Sequence, residues 1–69
     1  MKNHVYKVIE IVGSSDTSIE EAISTAVAQA SKTIRNMDWF EVIETRGHIE
    51  NGKVGYFQVT VKIGFTLES

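Results

Sequence analysis

The stretch WFEVIETRGHIENGKVGYFQVTVKIGF, Trp39 to Phe65, carries an Asn-Gly dipeptide near its centre. Asn51 and Gly52 readily take the two positive φ angles of a type I′ turn, so the stretch reads as two antiparallel strands joined by a two-residue loop. Pairing Glu50 with Lys53 and counting outward sets Thr45 opposite Gln58, Ile43 opposite Thr60, Glu41 opposite Lys62 and Trp39 opposite Gly64. The Glu41–Lys62 match brings opposite charges together, as a sound register should. On the other face Phe40 meets Ile63 and Val42 meets Val61, and Phe57, Val59, Phe65 and Leu67 continue an apolar row that must cover a helix.

That helix precedes the hairpin. In SIEEAISTAVAQASKTIRNM, Ser18 to Met37, the residues Ile19, Ala22, Ile23, Ala26, Val27, Ala30, Ile34 and Met37 recur at spacings of three and four with one lapse. Ser18 and Glu21 form a capping box, and Glu20 and Glu21 suit the positive end of the helix dipole. Lys32 and Arg35 suit the negative end, and Asn36 takes the left-handed turn that stops the helix. Three alanines on the buried stripe imply close approach of the sheet. Upstream, Val5 to Val12 (VYKVIEIV) is rich in β-branched and aromatic residues and ends at the breaker cluster Gly13-Ser14-Ser15. It makes a first strand, expected beside the last. The architecture is therefore β-α-β-β, an α+β domain over residues 1–69 in which a three-stranded antiparallel sheet wraps one helix.

A chain of 69 residues sustains one core at most. Below about 70–80 residues such a core rarely contributes more than about 3–5 kcal/mol, and small scaffolds add disulfides, a metal or oligomerisation. The chain has no cysteine, and His4 and His48 are its two histidines, so oligomerisation is the support left and self-association is expected. A net charge of −2, with Lys and Arg scattered, lacks the basic stripe of a nucleic-acid binder. No apolar run approaches the roughly 20 residues of a membrane span, and Lys7 and Glu10 interrupt the N-terminal apolar stretch as no signal peptide would. A cytoplasmic protein free of membrane and nucleic acid is expected.

Neither does the chain present a catalytic constellation. Glu41, Glu44 and Glu50 read as solvated strand residues or cross-strand partners, His4 and His48 lack metal-ligand spacing, and Gly13-Ser14-Ser15 lacks the lysine and glycine spacing of a phosphate loop. The residue that asks for an explanation is Trp39. Its face also carries Glu41, Ile43, Thr45, Tyr56, Gln58, Thr60 and Lys62, a mostly polar set, and Gly64 opposite leaves the flat side of the indole open. It either packs in a subunit interface or stacks on a planar ligand, with Gln58 offering an amide to a heteroaromatic edge. Trp39 and Gln58 are about 20 Å apart along the strands at about 3.3 Å per residue. A ligand touching both would lie between subunits, unless bulges shorten the path.

Three segments together resemble the dodecins, small flavin-binding proteins: Val5 to Gly13, Asp38 to Val42 with Arg46-Gly47, and Gln58 to Phe65. The resemblance implies a hollow homododecamer of cubic symmetry, with flavins bound in pairs at subunit interfaces. Each isoalloxazine would stack between a tryptophan, here Trp39, and its symmetry-related flavin. Gln58 falls on the glutamine that hydrogen-bonds the polar edge of the ring, and Arg46 on the arginine that bacterial members direct at the FMN phosphate. FMN is the expected cofactor, with riboflavin or FAD as variants; some bacterial relatives also bind coenzyme A. The expected function is non-catalytic, storage of flavin and quenching of its excited state by the indole, with a flavoprotein enzyme or a coenzyme A-binding carrier shell as the alternative. One departure stands out. Where relatives often read Gly-Phe-Arg-Leu-Glu, this chain reads Gly64-Phe65-Thr66-Leu67-Glu68, so a second positive charge for the phosphate is missing.

Overall fold

The computed structural model describes residues 3–67; Lys2 and Glu68 lie outside the described residues. Four elements follow in order: β1 (Tyr6–Ser15), α1 (Ile19–Ala30), β2 (Met37–Glu50) and β3 (Lys53–Thr66). The sheet has the order β1-β3-β2 with both pairs antiparallel, so the first strand lies beside the last as the sequence implied. This is the expected β-α-β-β arrangement.

Ser18 caps α1, its Oγ accepting from the Glu21 amide at 3.0 Å with Glu20 and Glu21 in the first turn. The helix ends at Ala30, six residues before the expected stop. Beyond Ser31 the chain tightens into i→i−3 bonds, Lys32 N–H to Gln29 O at 3.2 Å and Thr33 N–H to Ala30 O at 3.2 Å. Ile34 and Met37 keep the helical spacing because both still pack on the core from outside the helix. Lys32 and Arg35 are therefore not at a helix C-terminus. Asn36 does take the left-handed conformation, with φ of 63°, where the chain turns into β2.

β1 also differs from the reading, running on through Gly13, Ser14 and Ser15, which pair with Val59, Gln58 and Phe57. Gly13 is not a breaker. The helix backbone crosses directly above it: an added Cβ would overlap the Ala22 carbonyl oxygen and fall 2.8 Å from the Ala26 Cβ. Glycine below and alanine above let the two backbones close, and Ala22, Ala26 and Ala30 are buried against Val59, Val61 and Ile63.

This close seat fixes α1 on β1 and β3 and leaves β2 uncovered. Phe40 and Val42, expected in the core, are 51% and 41% exposed in the protomer, and no residue of β2 is fully buried. Phe40 instead forms one wall of an apolar groove of about 500 Å³ whose other wall is Ile23, Val27 and Ala28 of α1. The chain is elongated, 54 × 20 × 14 Å with a radius of gyration of 14.4 Å. A compact chain of this length would have about 11 Å.

The hairpin turn is as read, with Asn51 at φ 52° and Gly52 at φ 74°. Glu50 faces Lys53, and Trp39 to Val42 face Gly64 to Val61. Between those ends the straight count fails. Arg46, not Thr45, lies opposite Gln58, and Glu44, not Ile43, lies opposite Thr60. One shift between Val42 and Glu44 adds Ile43 to β2, and another between His48 and Ile49 adds Gly55 to β3, so the two cancel.

Gly13→Ala is expected to lower stability by about 1–3 kcal/mol, because backbone rather than a flexible side chain occupies the space the methyl group needs. Urea unfolding at fixed protein concentration measures this. An unchanged midpoint would mean that the helix does not sit where described.

Candidate functional site

Residues paired across a sheet share a face, so the insertion at Ile43 decides which side chains of β2 join those of β3. One face carries successive rows: Val8, Gly64 and Trp39; Glu10, Lys62 and Glu41; Val12, Thr60 and Glu44; Ser14, Gln58 and Arg46; then Tyr56 with His48. Without the extra residue Arg46 would point to the helix side. The structure thus brings Arg46 to Gln58 and holds Trp39 apart from both. Gly64 and Gln58 are six positions apart on β3, about 20 Å at the rise of an extended strand.

Trp39 and Gly64 form one end of this face. The indole occupies the space a side chain at Gly64 would need: an added Cβ would overlap ring atoms Cε2 and Cζ2 and fall 2.7 Å from Cη2. Glycine therefore lets the ring settle onto the backbone, and Gly64 is buried beneath it while Trp39 stays 42% exposed. The result is an indole supported from below with apolar surface left open.

Arg46 and Gln58 form the other end. Arg46 Nε donates to Gln58 Oε1 at 2.9 Å, and its Nη1 lies 3.8 Å from Glu44 Oε1. Glu41 and Lys62 are paired in register as the sequence implied, yet the ion pair recorded among the described residues is the Arg46–Glu44 one. Beyond it His48 stacks on Tyr56, ring centroids 4.9 Å apart and planes 16° from parallel. Sequence reading passed over this pair; the signal that could have found it is Gly55, since an isolated glycine in a strand marks a bulge and a bulge changes which residues face each other.

Thr66, which stands where relatives often carry arginine, is engaged within the chain. Its hydroxyl donates to the Asp38 carboxylate, and Asp38 is the extra residue at a third shift, between Met37 and Trp39. A hydroxyl has one proton to give. Thr66 is therefore already committed to a neighbour of Trp39 and offers an anion neither charge nor a free donor. Among the described residues no group of three or more His, Cys, Asp or Glu side chains is placed to hold a metal ion.

The family model described as Dodecin matches residues 5–68. The Dodecin of Thermus thermophilus is 50% identical over 64 residues, covering 93% of each chain. The solved dodecin of Streptomyces coelicolor superimposes with a TM-score of 0.94 at 49% identity, covering 100% of this chain and 99% of its own. A more distant relative, the Calcium dodecin of Mycobacterium tuberculosis, is 34% identical over 64 residues, covering 91% of this chain and 89% of its own.

Gly64→Ala should lift the indole from the sheet. Trp39 is the single tryptophan, so intrinsic fluorescence reads this site alone. A red-shifted emission is expected from the folded variant; an emission spectrum identical to that of the native protein would contradict the stacking of the ring on Gly64.

Proposed function

The chain belongs to the dodecin family, and from that premise we propose that it binds flavin without catalysing turnover, in a homododecamer with flavin pairs at subunit interfaces. FMN is the flavin proposed, with riboflavin or FAD as alternative occupants of the same site. The observation that carries this reading is the indole of Trp39, backed by Gly64 and open on its remaining surface. Such a platform fits a planar ring system, and stacked aromatic pairs contribute about 0.5–1.5 kcal/mol beyond the area they bury.

The rest of the donor set also fits a flavin. Gln58 offers an amide to the polar edge of a ring, and Arg46 offers a cation suited to a phosphate. Since Trp39 and the Arg46–Gln58 pair are about 20 Å apart in one protomer, they would serve one ligand only across a subunit boundary. The protomer supports such a boundary. Its buried core is six residues among those described, and Phe40, Val42, Ile43, Ile49 and Val54 of the hairpin are exposed in the single chain. Large apolar surfaces of this kind mark interaction sites.

When bound, flavin would supply light absorption and redox chemistry of its own, and an indole in contact would quench its excited state. Trp39 would hold the ring face, Gln58 the ring edge and Arg46 the phosphate. A ring covered on both faces, by indole and by a second ring, leaves a substrate no approach, and storage with photoprotection follows. No helix among the described residues is long and apolar enough to cross a membrane, and a cytoplasmic location belongs to the same proposal.

Titrating flavin fluorescence tests the reading. Native protein should quench FMN with saturation near one flavin per subunit, and Trp39→Ala should lose most of that quenching while eluting at the native size. No quenching by native protein would refute flavin binding. Thr66→Arg should tighten FMN about tenfold more than riboflavin, since it adds a charge where the native hydroxyl is spent on Asp38. Equal effects on the two flavins would contradict a phosphate contact there.

A further inference from the structure

Resting on the flavin reading, we propose that Arg46 is a positioning residue for Gln58, fixing the amide that recognises the ring edge, and so supports flavins that carry no phosphate at all. A guanidinium has donors and no acceptor, so an amide beside it must present its oxygen. Arg46 Nε meets Gln58 Oε1 at 2.9 Å. The flipped amide would set N–H against N–H. One orientation of Gln58 is thereby selected, with the amide nitrogen on the branch away from Arg46, its two N–H donors turned to whatever approaches.

The guanidinium also has an acidic neighbour. Glu44 lies on its other side, Nη1 to Oε1 at 3.8 Å, two positions along the same strand and on the same face. The insertion at Ile43 puts Glu44 and Arg46 on that face together. Gln58 is half-buried while Arg46 is exposed, so the bond joins the amide to a residue nearer the solvent. Gln58 Oε1 keeps a second lone pair. The amide can therefore donate to a ring carbonyl and accept from the adjacent ring N–H, the pattern on the pyrimidine edge of an isoalloxazine.

A phosphate anchor and an amide positioner differ in what happens to riboflavin, which has the ring edge and lacks the phosphate. Affinities of riboflavin and FMN are compared by fluorescence titration for native protein, Arg46→Ala and Arg46→Gln, with sizing to verify assembly. Arg46→Ala is expected to weaken riboflavin about tenfold, the value of one hydrogen bond that orients a partner, and FMN by more. Arg46→Gln, whose amide nitrogen can still donate to Gln58, is expected to recover most of the riboflavin affinity and none of the additional FMN loss. Arg46→Ala binding riboflavin as tightly as native protein would overturn the proposal while leaving flavin binding intact. So would an Arg46→Gln variant that assembles at the native size and binds riboflavin no better than Arg46→Ala. Native protein that binds neither flavin would instead refute the flavin reading, and this inference with it.

Discussion

Side chains on a β-strand alternate, so one additional residue in β2 reverses the face of everything beyond it, and a second insertion on the partner strand restores the pairing register. Ile43 is that residue, and Gly55 on β3 is its counterweight. Between them Glu44, Arg46 and His48 are carried to the face that already holds Trp39, Gln58 and Gly64. The hydrogen-bonded pair Arg46 with Gln58 exists because of that reversal. The two ends of the hairpin are unaffected, which keeps Trp39 on Gly64 and the turn at Asn51-Gly52.

A second constraint shapes the protomer as an incomplete body. The helix approaches the sheet where glycine and alanine permit it, at Gly13, Ala22 and Ala26, and this places it over β1 and β3. Alanines bury little apolar area each, so the close approach gives a small core and leaves the apolar side of β2 to face outward. Phe40 and Val42 are then surface in one chain and are suited to become interior between chains. The same offset that thins the core leaves the groove beside Phe40, so the architecture and the expected self-association follow from one packing choice.

Most of the fold was legible because its signals are local and have a physical cause. Asn51-Gly52 announces its turn through positive φ, Ser18 its cap through a side-chain oxygen, and Ala22, Ala26 and Ala30 the buried stripe. What escaped reading depends on tertiary context. Ile34 and Met37 hold helical spacing while packing from a loop and from the start of β2, so the helix looked six residues too long. Gly13 looked like a breaker, though a glycine within a β-branched run equally signals close backbone approach. The slip at Ile43 had one cue, two successive apolar residues, Val42 and Ile43, between Glu41 and Glu44. Trp39 could be found from its glycine partner; the joining of Arg46 to Gln58 could not, because a straight count separates them.

The central claim is that one ligand is shared by residues about 20 Å apart in any single chain. A crystal structure of the assembled protein grown with FMN tests it most directly. The account predicts one ring in contact with Trp39 of one subunit and Gln58 of a neighbouring subunit. Trp39 packed against protein with no ligand on it, or Trp39 and Gln58 serving separate ligands, would contradict the account.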